Sequence, residues 1–479
     1  DYPIIIGGGP CTYNPEPVAD FFDVFAIGEG EYMLTEFCAL YRDCRKKGMK
    51  KSEILRLASH LDGFYVPSLY DVAYNSDGTI NAVTPKYDDV PPVVTKRIVE
   101  DLDSAPFPTD FPVPYLETVH DRVTVEVFRG CIRGCRFCQA GMVYRPYREK
   151  SSDSINACAM ASCRNTGYNE ISLSALSISD YSEIDKLVDK LLSWTENEKI
   201  SLSLPSMRID AFYEELMKKV MSVRKSGLTF APEAGTQRLR DVINKNITEE
   251  EILSACKMAF DGGRSQIKLY FMLGLPTETD EDLTGIAALG QSIVDEFFSQ
   301  KRNGKYLNIT LSVASFVPKP FTPFQWAAQI TPEEYLRRVH LLQANLHAKC
   351  VDYRYHESDL SRLEAVMARG DRRVGQALLE AHRLGCRLDG WDEYFDYEKW
   401  LEAFRRAGLD LDFYTTRGFA ADELLPWQTI DVGVTTKFLL HEREKALRSE
   451  ATPDCRTHCN GCGARMLSER RLCDESPAV

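Results

Sequence analysis

The chain has 479 residues, 44% hydrophobic and 27% charged, the balance of a globular protein too long for one core, so two or three domains are expected. A formal net charge of −13 argues against broad electrostatic attachment to nucleic acid or an anionic membrane, and no apolar run is long enough to span a bilayer. Of the 15 cysteines, six fall into two tight clusters, which a disulfide-stapled secreted protein of this size does not need; a reducing, cytoplasmic setting and bound metal are expected. The chain opens at Asp1, without a methionine, and runs almost at once into a strand, so an upstream part is expected.

Pro3-Ile4-Ile5-Ile6 reads as a strand closed by the turn Gly7-Gly8-Gly9, and Phe22–Ile27 as a second, closed by Gly28-Glu29-Gly30-Glu31 and followed by an amphipathic helix. Residues 1–50 thus read as the last part of an open α/β domain. Residues 51–120 read as an irregular linking segment, with Asp101–Pro114 rich in proline. Over residues 121–330 the pattern becomes a regular α/β alternation. Strands are expected at Val123–Phe128, Glu170–Leu173, Ser201–Leu204, Leu228–Phe230, Gln266–Met272 and Asn308–Val313. Helices are expected at Ser154–Asn165, Ser182–Trp194, Asp210–Arg224, Glu249–Phe260 and Asp280–Phe298. This order argues for parallel strands with crossover helices, here an open six-stranded (β/α) barrel whose chemistry sits at the carboxyl ends of its strands. Residues 331–450 read as mostly helical (Pro332–Ala348, Leu360–Leu384, Glu398–Ala407), and residues 451–479 as a polar, cysteine-rich tail.

Cys131, Cys135 and Cys138 stand in a C-x3-C-x2-C arrangement directly after the first barrel strand. Three thiolates in one loop each ligate one iron of a cubane cluster. The fourth iron is then open, and an open position marks a reactive metal site. Arg129, Arg133 and Arg136 are expected to offset the charge of the cluster, while Gly130 and Gly134 let the backbone wrap it. Spacing alone leaves a zinc site with a distant fourth ligand open.

C-x3-C-x-aromatic-C after the first strand of a sixfold β/α repeat resembles the radical S-adenosylmethionine (SAM) superfamily, over about Arg122–Ala314. The resemblance implies a [4Fe-4S] cluster on the three cysteines. Its open iron would bind the amino and carboxylate groups of SAM, and a reductant such as flavodoxin or ferredoxin would supply the electron that cleaves SAM. SAM contacts are implied at Phe137, at Ser174 and Ser177 (where the family's usual Gly-Gly-Glu is missing), at Arg208, at Glu233, and at Gly274 in the fifth-strand motif Lys268–Thr279. For Arg208 and Glu233 an ion pair or a helix cap is an equal alternative.

Further phrases, Asn14-Pro15-Glu16-Pro17, Gly28-Glu29-Gly30-Glu31, Ala231-Pro232-Glu233-Ala234-Gly235 and Phe316–Trp326, together with the terminal cysteines, resemble the B12-binding-domain-fused radical SAM proteins. They imply a partial (β/α)6 radical SAM barrel preceded by the end of a Rossmann-like cobalamin-binding domain and followed by a mostly helical region. Cobalamin would then approach Gly7, Gly8 and Gly9, although the family's Asp-x-His-x-x-Gly ligand motif does not occur in this sequence. Phe316–Trp326 reads either as an aromatic wall at the barrel mouth or as a crossover between domains. The run Arg369–Arg373 reads as a solvated helix end, with contact to an anionic substrate as the alternative. Cys455, Cys459 and Cys462 repeat the C-x3-C-x2-C spacing, with Cys473 as a candidate fourth ligand; zinc and a second iron–sulfur cluster both fit. The expectation is a radical SAM enzyme that methylates or rearranges an unidentified substrate with the help of cobalamin. The alternatives are a tRNA methylthiotransferase-like enzyme, against which the acidic balance counts, and a non-catalytic iron–sulfur or RNA-associated scaffold.

Overall fold

A computed structural model describes residues 3–116, 118–205, 207–209, 228–299 and 306–468. All six expected barrel strands are present, pairing in parallel with chain neighbours within two separate sheets. Val123–Glu126, Glu170–Ser174 and Ser201–Ser203 form one three-stranded sheet. Leu228–Glu233, Gln266–Leu273 and Asn308–Ser315 form the next. The alternation of side chains explains why Gln266–Leu273 is a strand: Ile267, Leu269, Phe271 and Leu273 are buried, while Gln266 and Tyr270 face outward. Helices Ser152–Thr166, Ile184–Glu198, Glu249–Asp261 and Asp280–Phe298 lie between the strands and bury their apolar stripes against them. Thr248 caps the third of these helices, accepting the Glu251 N–H at 3.2 Å while Glu251 answers the Thr248 N–H. The expected helix at Asp210–Arg224 lies outside the described residues.

Three expectations are corrected. The segment 51–120 carries helix Lys51–Ala58, the antiparallel pair Tyr70–Tyr74 and Ile80–Pro85, and strand Val94–Thr95 pairing with Ile430–Asp431. Its Leu55, Phe64, Tyr65 and Val94 share one core with Phe25, Trp326, Trp427 and Phe438. Its 101–114 stretch has no helix or strand. The region 331–450 contributes a seventh parallel strand, Val351–Tyr355, beside Asn308–Ser315. The expected helix Leu360–Leu384 divides into Ser358–Arg369 and Val374–Arg383, because the chain turns at Gly370, where a Cβ would stand 2.6 Å from the Val366 carbonyl.

The basic run at that turn is neither solvated nor free for a substrate. Arg369 is fully buried and donates to the Thr415 and Arg417 carbonyls, Arg372 pairs with Glu16 at 2.9 Å, and Arg373 pairs with Asp371 at 2.6 Å. Phe316–Trp326 is the crossover of the two alternatives. Phe316 and Phe324 pack with Ala234 and Leu275 just past the carboxyl ends of the barrel strands, while Phe321 and Trp326 enter the amino-terminal core. Among the described residues no helix is long and apolar enough to cross a membrane.

Candidate active site

The cysteine loop leaves the carboxyl end of the first barrel strand and is closed by the antiparallel pairing of Phe128–Arg129 with Arg148–Glu149. Gly130 takes φ +87° there, and a Cβ would stand 2.8–2.9 Å from three backbone atoms of Tyr144, Pro146 and Tyr147, so no other residue fits this approach. Cys131 Sγ accepts the Arg133 N–H at 3.4 Å. Cys138 caps the short helix Gln139–Val143 and accepts the Gly141 N–H at 3.3 Å. Burial, with Cys135 and Cys138 close by, pushes the Cys131 thiol up to about 12. Burial and Cys135 push Cys138 up to about 11. A metal binding here therefore displaces protons from the thiols it takes. Among the described residues no three cysteine, histidine or carboxylate groups converge on a single ion-sized point. A cubane spaces its ligand sulfurs more widely than one ion does.

The three loop arginines are already neutralised, which corrects their expected role. Arg129 bonds Glu126 and Glu29 at 2.9 Å and also Glu31. The Gly28-Glu29-Gly30-Glu31 phrase thereby ties the amino-terminal region to the cysteine loop. Arg133 binds the Asp180 carboxylate with two nitrogens and lies 3.6 Å from Asp454. Arg136 is fully buried against Glu442 at 3.0 Å and also donates to the Asp241, Val242 and Glu450 carbonyls. The buried guanidinium that faces thiols is instead Arg145, which sequence reasoning missed. Burial opposes its charge, yet Cys462, Cys455 and Cys131 hold it above its ordinary value.

The strand ends contribute unequally. Glu233 closes the fourth strand at φ +69°, after a register break at Phe230, and accepts from Lys245 Nζ at 3.3 Å. Burial raises its carboxyl above the usual range against the pull of Lys245. Lys245 Nζ lies 5.9 Å from the Phe137 ring centroid, and both Glu233 and Lys245 act on the Cys138 thiol. Arg208 Nη2 donates to the Lys245 carbonyl at 3.1 Å. Phe137, Cys138, Arg208 and Glu233 are thus brought together, and Lys245 joins them without having been singled out. Strain at a non-glycine residue with positive φ is a recurrent mark of functional sites.

Ser174 is exposed at the end of the second strand, whereas Ser177 is buried and its carbonyl accepts the N–H of Asp180, the partner of Arg133, at 2.9 Å. Gly274, at φ +88°, donates its N–H to Glu278 at 2.7 Å. Burial pushes the Glu278 carboxyl up to about 7 against the Gly274 amide and Arg338. At the amino end, the Phe25 ring fills the space beside Gly7 at 2.6 Å, while Gly8 and Gly9 are exposed with open space around them. The second cysteine cluster docks on the first loop through the Cys455 N–H, which donates to the Ile132 carbonyl at 2.9 Å. Cys473 lies outside the described residues.

Three thiols at the head of an open parallel barrel define a radical SAM domain, and residues 125–290 match the family model of the radical SAM superfamily. Residues 1–67 match the model for the N-terminal part of radical SAM proteins. Residues 125–290 are thus a radical SAM domain and the chain is an enzyme, a [4Fe-4S] cluster and SAM being the cofactors of that superfamily. An uncharacterized protein of Methanocaldococcus jannaschii is 27% identical over 380 residues, 78% of this chain and 73% of the relative. An uncharacterized methyltransferase of Pyrococcus horikoshii is 23% identical over 294 residues, 58% of this chain and 56% of its own length. The radical SAM methyltransferase TsrM of Kitasatospora setae, solved with cobalamin and a [4Fe-4S] cluster, shares the fold. Its TM-score is 0.50 at 12% identity, over 84% of this chain and 82% of that one.

Proposed function

We propose that Cys131, Cys135 and Cys138 hold the [4Fe-4S] cluster and that this enzyme cleaves SAM reductively in order to methylate or rearrange a substrate, with cobalamin as a further cofactor. The observation that carries the reading is the placement of the three thiols at the first strand end beside the buried Glu233–Lys245 pair. When bound, the reduced cluster supplies one electron, which parts SAM into methionine and a 5′-deoxyadenosyl radical. The chain's own residues bind and orient. Lys245 and Arg208 present positive charge suited to the SAM carboxylate, and Glu233 an acceptor suited to its amino group. Phe137 walls the same side, and the Gly274 turn, held by Glu278 and covered on its Cβ side by Ile330, would flank adenine. Support for cobalamin comes from the fold shared with a methyltransferase solved with that cofactor and from the open glycine edge at Gly8 and Gly9.

The test is incubation of dithionite-reduced, cluster-loaded protein with SAM, without and with hydroxocobalamin. Formation of 5′-deoxyadenosine, or of S-adenosylhomocysteine when cobalamin is present, supports the reading. An intact cluster yielding neither product would favour the scaffold alternative.

A further inference from the structure

Arg145 is a buried cation beside the first cysteine loop. It is 4% exposed. Its Nε donates to the Gly141 carbonyl at 3.0 Å and its Nη2 to the Arg133 carbonyl at 3.2 Å, both neutral groups. Its Nη1 has no hydrogen-bond partner, and among the described residues it forms no ion pair. Beside it lies a second buried cation, Lys96, also 4% exposed, whose Nζ donates to the Val143 carbonyl at 2.6 Å and to the Arg145 carbonyl. A buried cation is costly unless a counter-charge meets it. Lys96 has the Glu29 and Asp431 carboxylates near it, and the Cys462 thiol borders both cations, joined at Arg145 by Cys455.

The loop carrying those thiols is fastened from several sides. The Cys455 N–H bonds the Ile132 carbonyl and the Thr435 N–H bonds the Cys462 carbonyl, each at 2.9 Å. Asp454 faces Arg133, and Arg456 donates to the Asp180 carbonyl. Gly461 and Gly463 take φ +68° and +101°, which lets the backbone fold back so that Cys455, Cys459 and Cys462 neighbour one another. The buried Arg145 guanidinium, its Nη1 unpartnered, thus borders a group of three cysteines on one fastened loop, a donor set suited to a soft metal.

We propose that Cys455, Cys459 and Cys462, whose thiols do not converge on a single ion-sized point, ligate a second iron–sulfur cluster, seated against the first cysteine loop with Arg145 between the two. The inference does not rest on the reaction proposed above. It is tested on the full chain with Cys131, Cys135 and Cys138 replaced by Ala, beside a variant that also has Cys455, Cys459 and Cys462 replaced by Ala. Both are loaded anaerobically with zinc in one arm and with iron and sulfide in the other, then desalted. The three-cysteine variant should retain iron with matching sulfide, and the six-cysteine variant neither metal. Retention of zinc in place of iron and sulfide would overturn the cluster. Equal retention of metal by both variants would overturn the proposal. A second readout uses the wild-type chain, so that folding of a variant is not at issue. Alkylation of Cys455, Cys459 and Cys462, followed by mass spectrometry, should be at least about tenfold slower in metal-loaded than in metal-stripped protein. Equal labelling would likewise overturn the assignment.

Discussion

Replacing Gly130 by alanine tests the cysteine loop at its most constrained point. The new methyl would lie 2.8 Å from Pro146 O and Tyr147 Cα and 2.9 Å from Tyr144 O, all backbone atoms. That backbone has little room to retreat, since Arg148 pairs with Arg129 and Lys96 grips the Val143 and Arg145 carbonyls. The left-handed conformation costs an alanine about 1–2 kcal/mol. Moving the backbone costs at least about as much again, so the total is about 3 kcal/mol, on the order of a 100-fold loss of the native loop population. Gly8→Ala is the control, because Gly8 has no positive φ and nothing within 4 Å of its Cβ position. After anaerobic reconstitution, iron per chain and melting temperature are measured for both variants. Gly130→Ala should keep less than half of the wild-type iron and melt about 5 °C lower, with Gly8→Ala unchanged or slightly more stable. Wild-type iron content and melting temperature in Gly130→Ala would refute the loop geometry.

Lys245→Met should weaken SAM binding about tenfold, the worth of one charge-assisted hydrogen bond, while leaving the visible absorbance of the cluster intact; titration with SAM checks it, and unaltered affinity would remove Lys245 from the site. Glu278 predicts a pH effect. Its carboxyl rises from 4.5 to about 7 in the fold, so between these values the native state keeps a proton that the unfolded chain has lost. Its contribution is full below about pH 4.5 and fades as pH rises through 7, by at most about 3 kcal/mol. Metal-free wild type should therefore lose melting temperature relative to Glu278→Gln between pH 5 and pH 8. A relative gain would mean that ionised Glu278 with Arg338 is the native pair.

Regular elements were legible where local signals agree with tertiary packing. Helix Asp280–Phe298 has acidic residues in its first turn and a continuous buried stripe from Leu283 to Phe297, and its expected span is the observed one. Strand Val351–Tyr355 escaped detection because it is a half-exposed edge, with polar Asp352 and Arg354 breaking any apolar run. Of the site, the thiols and their loop glycine were legible because their chemistry is local. Which cations remain available was not, since neutralisation is decided across long separations. Arg136 meets Glu442, 306 residues away, and Arg129 meets Glu29, 100 residues away. Three arginines beside the cysteines are thus occupied by carboxylates, whereas Arg145, also beside them, forms no ion pair among the described residues.

The most direct measurement of the central claim is the EPR spectrum of the reduced, reconstituted protein before and after addition of SAM. The wild-type signal should change when SAM is added, because an iron left open by three thiolates is where the amino and carboxylate groups bind. With Cys131, Cys135 and Cys138 replaced together by Ala, the SAM-responsive part should vanish, and any signal from the carboxyl-terminal cysteines should be indifferent to SAM. An undiminished response to SAM in that variant would contradict the assignment of the cluster to these three residues.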